Sequence, residues 1–202
     1  MPKGLTKSNI HFFSCAEKPT IKLSHESLTL KKGDKLNLSA THDGLPKPDV
    51  QWKFNDTNID SEKVTFDAKK GKSSLALKGL EDLHAGIYSV VATNEAGESH
   101  ASCVVTIEFP PQFTKQLNAT KCIEGTSLAV EVQVTGNPKP EIEWFKNDEM
   151  LPTSESVKID NNRLLTIQKF ESLNVGKYKV VAKNSIGSAV SEANFDILGK
   201  CG

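Results

Sequence analysis

Apolar and polar residues alternate one by one over many short segments of the chain. In the first half every second residue is apolar in five such runs: Leu36, Leu38, Ala40; Val50, Trp52, Phe54; Leu75, Leu77; Tyr88, Val90, Ala92; and Cys103, Val105, Ile107. A period of two puts successive side chains on opposite faces of a strand, so each run predicts a half-buried β-strand. Turn-forming pairs such as Asn55-Asp56 separate the runs. The pattern therefore predicts an all-β fold, an antiparallel sandwich.

The pattern occurs twice along the chain. Segment 44–54 returns at 136–146 after a shift of 92 residues, and segment 85–97 returns at 175–187 after a shift of 90. Copies of this length are too long for the unit of a helical solenoid and suit two small independent domains. We therefore predict one domain over 17–108 and another over 109–199, with tails at 1–16 and 200–202.

Composition narrows the classes of function. The chain has 202 residues, of which 37% are hydrophobic, and its 25 Lys and Arg are balanced by 25 Asp and Glu. A neutral chain lacks the basic surface by which most proteins attract nucleic acids, so nucleic acid is not an expected partner. No apolar run approaches the roughly 20 residues that cross a bilayer, and the opening residues contain no apolar core of a secretory signal. The sequence as it stands predicts a cytoplasmic protein without a membrane partner.

The four cysteines are Cys15, Cys103, Cys122 and Cys201. No two of them have the short spacing that brings two thiolates to one zinc ion, and their arrangement does not fit a small disulfide scaffold. Cys103 falls on the inward phase of a predicted strand, and Cys122 aligns with an inward Leu30 in the first copy. We expect both to be buried core residues and all four to be free thiols.

A search for converging reactive groups finds none. His25-Glu26 lacks the second histidine of a zinc-protease helix. Gly71-Lys72-Ser73 resembles the end of a phosphate-binding loop, but Phe66 stands where that loop needs glycine, and the surroundings predict a hairpin. The carboxylate pairs Glu81-Asp82 and Asp148-Glu149 lie in predicted turns. We therefore predict no catalytic, metal-binding or cofactor-binding residue and no enzymatic activity, while the residues that bind a partner stay unknown.

The repeated residues also form a motif. Each copy has Pro-Lys-Pro before a tryptophan, at Trp52 and Trp144, then Gly-x-Tyr ending at Tyr88 and Tyr178, then Ala-x-Asn-x-x-Gly. This order resembles the immunoglobulin fold and, within it, the intermediate set. Given twice, it is similar to the tandem domains of titin, twitchin and obscurin, a family of giant cytosolic muscle proteins. The resemblance covers about residues 17–198 and implies that the two tryptophans anchor the cores.

One departure from the immunoglobulin pattern bears on the compartment. The family pattern has a cysteine on strand B and another on strand F, which bridge the two sheets beside the tryptophan. Here those positions hold Ala40 and Val90 in the first copy and Val132 and Val180 in the second. The resemblance thus implies two sandwiches without intra-domain disulfides, which favours a reducing compartment.

The resemblance also implies structural roles around the turn between strands E and F. The hydroxyls of Tyr88 and Tyr178 are expected to bond the backbone upstream in this turn, as in a tyrosine corner. The family usually has aspartate two residues before the glycine of the turn, whereas this chain has His84 and Asn174. Both side chains can still hydrogen-bond the turn, so we expect them to be structural rather than pH-sensing.

The function implied by the resemblance is that of a non-enzymatic scaffold segment of a sarcomeric or cytoskeletal filament protein, located in the cytoplasm at the muscle myofibril. Other proteins would be its partners and would add a strand to a free sandwich edge. Two alternatives stay open: an extracellular adhesion or receptor fragment, and a segment that regulates a linked muscle kinase. The linker is predicted at Phe109-Pro110-Pro111, where two prolines favour an extended course and hence a monomeric, semi-rigid rod.

Overall fold

The computed structural model describes residues 15–67 and 70–199. The chain divides into two compact units between Thr106 and Ile107. Cys15 and Ala16 of the predicted N-terminal tail are exposed. The rest of that tail, the predicted C-terminal tail and Cys201 lie outside the described residues.

The first domain is a sandwich of two sheets. Its strands are β1 (Glu17–Leu23), β2 (Ser27–Lys31), β3 (Lys35–Leu45), β4 (Asp49–Phe54), β5 (Thr57–Asn58), β6 (Val64–Asp67), β7 (Lys72–Lys78), β8 (Gly86–Asn94) and the first part of β9 (Gly97–Lys115). One sheet has the order β1-β3-β7-β6, and the other has the order β9-β8-β4-β5 with β2 beside β9. Single 3-10 turns lie at Ser61–Lys63 and Asp82–His84.

The second domain repeats this architecture. After the end of β9, its strands are β10 (Thr120–Cys122), β11 (Leu128–Glu131), β12 (Gln133–Asn137), β13 (Glu141–Lys146), β14 (Glu149–Met150), β15 (Val157–Asp160), β16 (Leu164–Ile167), β17 (Gly176–Lys183) and β18 (Ser188–Ile197). One sheet has the order β10-β18-β17-β13-β14, and a second has β11-β16-β15, while β12 pairs with the last part of β9. A 3-10 turn lies at Ser172–Asn174.

The apolar residues of the alternating runs form the inward face of these strands. In β3, Leu36, Leu38 and Ala40 are buried, whereas the residues between them are more exposed. The core of the second domain contains Leu128, Val132, Ile142, Trp144, Leu165, Ile167, Phe170, Tyr178, Val180 and Phe195. Burial of these apolar side chains drives the folding of each sandwich. The prediction of an all-β fold with two sandwiches is confirmed.

The prediction of a separate linker at Phe109–Pro111 is wrong in detail. These residues belong to β9, where Phe109 pairs with Asn137 of β12 and Pro111 is buried. Proline has no backbone N–H and is confined to positions in a sheet where that donor is not needed. Two adjacent prolines therefore did not end the strand.

Two tight hairpins explain part of the motif. Asn55-Asp56 and Asn147-Asp148 connect β4 to β5 and β13 to β14, and all four residues have positive φ, between 45° and 67°. Asparagine and aspartate tolerate this left-handed conformation, which two-residue hairpins require. The Asn55 side chain then packs so closely on Gly86 that a Cβ there would lie 2.6 Å from Asn55 Oδ1. The glycine of each Gly-x-Tyr motif leaves room for this asparagine, since Gly176 meets Asn147 in the same way.

The asparagine of each Ala-x-Asn motif ties distant backbone segments together. Asn94 Nδ2 donates to the carbonyls of Glu17 and Pro46, at 2.7 and 2.8 Å. Asn184 Nδ2 donates in the same way to Phe109 and Pro138, at 3.0 and 2.8 Å. Asn94 therefore fixes the start of β1 against the loop after β3, and Asn184 fixes β9 against the loop after β12.

Candidate protein-binding surfaces

The four positions of the absent bridges are closed by apolar side chains. Ala40, Val90, Val132 and Val180 are each 0% exposed. Val90 and Val180 lie directly across from Trp52 and Trp144 in the sheets. The described cysteines are free thiols, with Cys103 and Cys122 buried as predicted and Cys15 exposed. Within residues 15–67 and 70–199, the two sheets of each sandwich are therefore joined by non-covalent contacts and not by a disulfide.

Both tyrosine corners are confirmed. The Tyr88 hydroxyl donates to the His84 carbonyl at 3.0 Å, and the Tyr178 hydroxyl donates to the Asn174 carbonyl at 2.8 Å. Burial raises the pKa of both phenols to about 12, because it disfavours the charged phenolate. The two tyrosines are neutral structural donors across the physiological pH range.

The unusual residues of the E–F turn hydrogen-bond the turn, as predicted. The backbone N–H of Glu81 donates to His84 Nδ1 at 2.9 Å, and that of Glu171 donates to Asn174 Oδ1 at 2.9 Å. The imidazole thus accepts through Nδ1 and carries its proton on Nε2. An imidazole nitrogen and an amide oxygen therefore both accept the main-chain hydrogen bond of this turn.

The polar pairs noted in the sequence form ordinary surface contacts. Lys32 Nζ lies 2.8 Å from Glu81 and 3.4 Å from Asp82, and Lys179 pairs with Asp148. Lys72 begins β7, so Gly71-Lys72-Ser73 lies at a strand start and not in a strand-to-helix phosphate loop. Within 15–67 and 70–199, no cluster of three His, Cys, Asp or Glu could hold a metal ion. No helix in that part of the chain is long and apolar enough to span a membrane.

Each domain carries an exposed leucine in the E–F turn, a feature that sequence reasoning missed. Leu83 is 70% exposed and Leu173 is 68% exposed. Each borders a groove beside the tyrosine corner, of about 400 Å³ in the first domain and about 660 Å³ in the second. The available signal was a leucine at the same place in both copies, in a turn that should be polar.

The free edges of the sandwiches differ in protection. Among the described residues, strand β6 pairs only with β7, and strand β15 pairs only with β16. In β15, Lys158 and Asp160 are exposed, and such charges discourage the addition of another strand. In β6, Asp67 is the one charged residue, and Phe66 is 49% exposed beside it. The β6 edge of the first domain is therefore the more open to a partner strand.

The family of the chain follows from this architecture and from its sequence. The immunoglobulin I-set domain model matches residues 19–107 and again residues 111–197. These matches cover both sandwiches. The chain belongs to the immunoglobulin I-set family.

Relatives of the chain include a muscle M-line assembly protein and neogenin. The muscle M-line assembly protein unc-89 of Caenorhabditis elegans is 31% identical over 199 residues, 90% of this chain and 2% of unc-89. Neogenin of Rattus norvegicus is 30% identical over 166 residues, 82% of this chain and 12% of neogenin. A solved tandem pair of titin immunoglobulin domains superposes with a TM-score of 0.67 at 27% identity, covering 92% of this chain and all of that pair. The chain thus spans a small part of the curated relatives it matches.

Proposed function

We propose that the chain is a non-enzymatic structural and protein-binding segment of a sarcomeric or cytoskeletal filament protein. The observation that carries this proposal is the complete burial of Ala40, Val90, Val132 and Val180 where immunoglobulin domains have their bridges. Domains that pack without disulfides suit the reducing cytoplasm. Similarity to unc-89, named for muscle M-line assembly, and to titin supports a myofibril setting.

The second candidate is a segment of an extracellular adhesion or receptor protein, which the similarity to neogenin favours. Small secreted domains commonly depend on disulfides for stability. Alanine and valine at all four bridge positions mean that this chain cannot form the family's bridges between its sheets, so this candidate ranks second.

Antibody staining of muscle cells separates the two candidates. An antibody raised against this chain should stain striations only after the cells are permeabilised. An antibody against a known surface receptor is the control for intact cells. Surface staining without permeabilisation would replace the first proposal with the second.

The proposed binding mode is strand addition at β6. An edge strand presents backbone N–H and C=O groups to a partner segment, and a neighbouring side chain supplies specificity. Phe66 on this edge offers an apolar contact that is 49% exposed. The first domain is therefore the proposed docking unit.

A charge placed on the edge tests this binding mode. We expect Phe66→Lys to abolish recruitment of the tagged full chain to striations, because an edge lysine opposes strand pairing. Val104→Lys is the matched control, since Val104 is also 49% exposed but lies on β9, away from the β6 edge. Equal recruitment of the two variants would contradict docking at β6.

A spacer role is the final part of the proposal. Pro110 and Pro111 lie in β9, close to the boundary between the two compact units, and have restricted φ angles, so we propose that they limit bending there and make the chain a monomeric, semi-rigid spacer. Replacing both prolines by glycine should broaden the distribution of particle dimensions in small-angle scattering. A native particle as compact as a single globule, or a variant indistinguishable from it, would argue against a spacer.

A further inference from the structure

A buried histidine in the first domain has no counterpart in the second. His42 on β3 is only 8% exposed, and neither of its ring nitrogens has a hydrogen-bond partner among the described residues. The corresponding position, 92 residues further on, holds Val134, which is 6% exposed. The second domain thus fills this part of its interior with an aliphatic side chain. The first domain has an imidazole at this place. Burial removes water from its ring nitrogens, and no hydrogen bond within the described residues replaces that water.

The surroundings of His42 oppose a positive charge. The charged residues that line the two surface openings beside it come from β1, β3, β4, β7 and the adjoining loops: Lys22, Asp43, Lys47, Asp49, Lys70 and Lys72. Lysines outnumber carboxylates in this set. Burial lowers the pKa of His42, Lys47 lowers it further, and Asp43 acts in the opposite direction. A proton on the buried ring would therefore meet both desolvation and net repulsion.

We propose that His42 makes the first domain, and not the second, sensitive to mild acid. The closed sandwich accommodates the neutral imidazole. An imidazolium ion needs water or an acceptor for two N–H groups, and opening of the domain supplies that water. Protonation therefore favours the open state of the first domain, while the second domain, with Val134, stays closed. Of the two similar sandwiches, protonation of His42 thus selects the first domain as the one that opens first.

The direction of the pH effect follows from the lowered pKa. Above about pH 6.5 the ring is neutral in both the folded and the unfolded chain, so His42 does not lower the free energy of unfolding of the first domain. Below that pH the unfolded chain binds a proton that the folded domain rejects, and stability falls until the pH reaches the folded pKa. One proton changes the unfolding equilibrium constant by at most about tenfold per pH unit.

Each domain contains one buried thiol that can report its opening. Cys103 lies in the first domain and Cys122 in the second, and both are buried. Pulses of 4,4′-dithiodipyridine on the full chain, in a fixed sub-denaturing concentration of urea at pH 7.5, 6.5 and 5.5, would label each thiol in proportion to opening of its domain. Labelling rates are divided by those of the urea-unfolded chain at the same pH. Peptide mass spectrometry then assigns the label.

Three variants isolate the histidine. His42→Gln keeps a polar side chain that does not titrate, His42→Val copies the second domain, and Val134→His transfers the histidine to the second domain. We expect normalised labelling of Cys103 in the native chain to rise severalfold between pH 7.5 and 5.5, and the rise to shrink in both His42 variants. Val134→His should create a similar rise at Cys122, which is otherwise flat.

The result that would overturn the proposal is equally specific. The proposal fails if labelling of Cys103 in His42→Gln depends on pH as it does in the native chain. It also fails if labelling of Cys103 in the native chain is constant from pH 7.5 to 5.5. If His42→Val does not fold, the glutamine variant decides the question. An imidazole that titrates at the ordinary histidine pKa in a folded-chain NMR experiment would also overturn it.

Discussion

The tyrosine and the asparagine of the shared motif make the same hydrogen bonds to main-chain carbonyls in both domains. The domains differ in a hydrogen bond between two side chains. In both, the corner tyrosine donates to a main-chain carbonyl. The core tryptophans differ, because Trp52 Nε1 donates to the buried hydroxyl of Ser73, whereas Trp144 Nε1 donates to the carbonyl of Asn162, each at 3.0 Å. A main-chain acceptor is present whatever residue occupies the position. Contacts of that kind therefore survive sequence divergence between the copies, and side-chain pairs do not.

The outer face of the sheet that contains β4, β8 and β9, and of its counterpart with β13, β17 and β18, differs more strongly between the domains. In the first domain Ile87 and Val104 lie directly opposite each other and are 51% and 49% exposed. In the second, Lys177 occupies the equivalent of Ile87 and forms an ion pair with Glu192 at 2.8 Å. The two domains therefore differ in surface chemistry on this face, although the folds beneath are the same.

The largest expected effect tests whether the two cores are equivalent. Trp52→Ala and Trp144→Ala should each lower the free energy of unfolding of its own domain by about 3–5 kcal/mol, because each opens a cavity between the sheets. Differential scanning calorimetry of the full chain should show one transition moving in each variant. Leu83→Ala, at an exposed position, is the control and should leave both transitions in place. A loss in both domains from one substitution would contradict independent cores.

A smaller effect should separate the two tryptophan acceptors. Ser73→Ala leaves the buried Trp52 indole without its acceptor and should cost the first domain about 1–3 kcal/mol. Asn162→Gly is the counterpart, because it keeps the main-chain carbonyl that Trp144 uses and suits the positive φ of 57° at that position. Urea unfolding should show a larger loss for the serine variant. Equal losses would mean that the acceptor type is unimportant.

The tyrosine corners should behave alike in both domains. Tyr88→Phe and Tyr178→Phe should each cost about 0.5–1.5 kcal/mol, the usual value of one hydrogen bond. Both phenols have a pKa raised to about 12, so their stabilising contribution is complete below about pH 10, the unfolded value, and is lost as pH rises toward 12.

Thermal unfolding at pH 9 and pH 11 checks this, since each phenylalanine variant should lose less stability than the native chain over that interval. A corner tyrosine whose replacement leaves the alkaline loss unchanged would not be the titrating group. The test also shows whether the two domains share this dependence.

Sequence reasoning reached the fold because its signals are local. The period of two in β3 and the Asn-Asp hairpins are decided by burial and by backbone conformation within a few residues. Even the tyrosine corner spans only four residues, from Tyr88 back to His84. Such features can be read from one sequence, and two copies make the reading firm.

The features that sequence reasoning missed depend on contacts between distant segments. The period of two in β3 places His42 on the same inward face as Leu38 and Ala40, but the sequence does not show that its ring lies there without a hydrogen bond. The exposure of Leu83 depends on how the E–F turn meets the strands around it. Continuation of β9 through Pro110 depends on pairing with β12, in which Phe109 lies opposite Asn137. Binding edges are likewise a property of strand order.

The smallest expected effect is no effect at all, and it is the sharpest test of what the two domains have in common. Cys103 and Cys122 are buried in different domains and the four bridge positions hold no cysteine, so within residues 15–67 and 70–199 no disulfide joins the sheets of either sandwich. Thermal unfolding of the monomeric chain should therefore give the same two transitions with and without dithiothreitol. The double variant Val132→Cys, Val180→Cys is the positive control, because a bridge formed there would stabilise the second domain by about 2–4 kcal/mol in a reductant-sensitive way. A drop of several degrees in the native monomer on reduction would reveal a covalent link in one domain, and the view that both rely on packing alone would then fail.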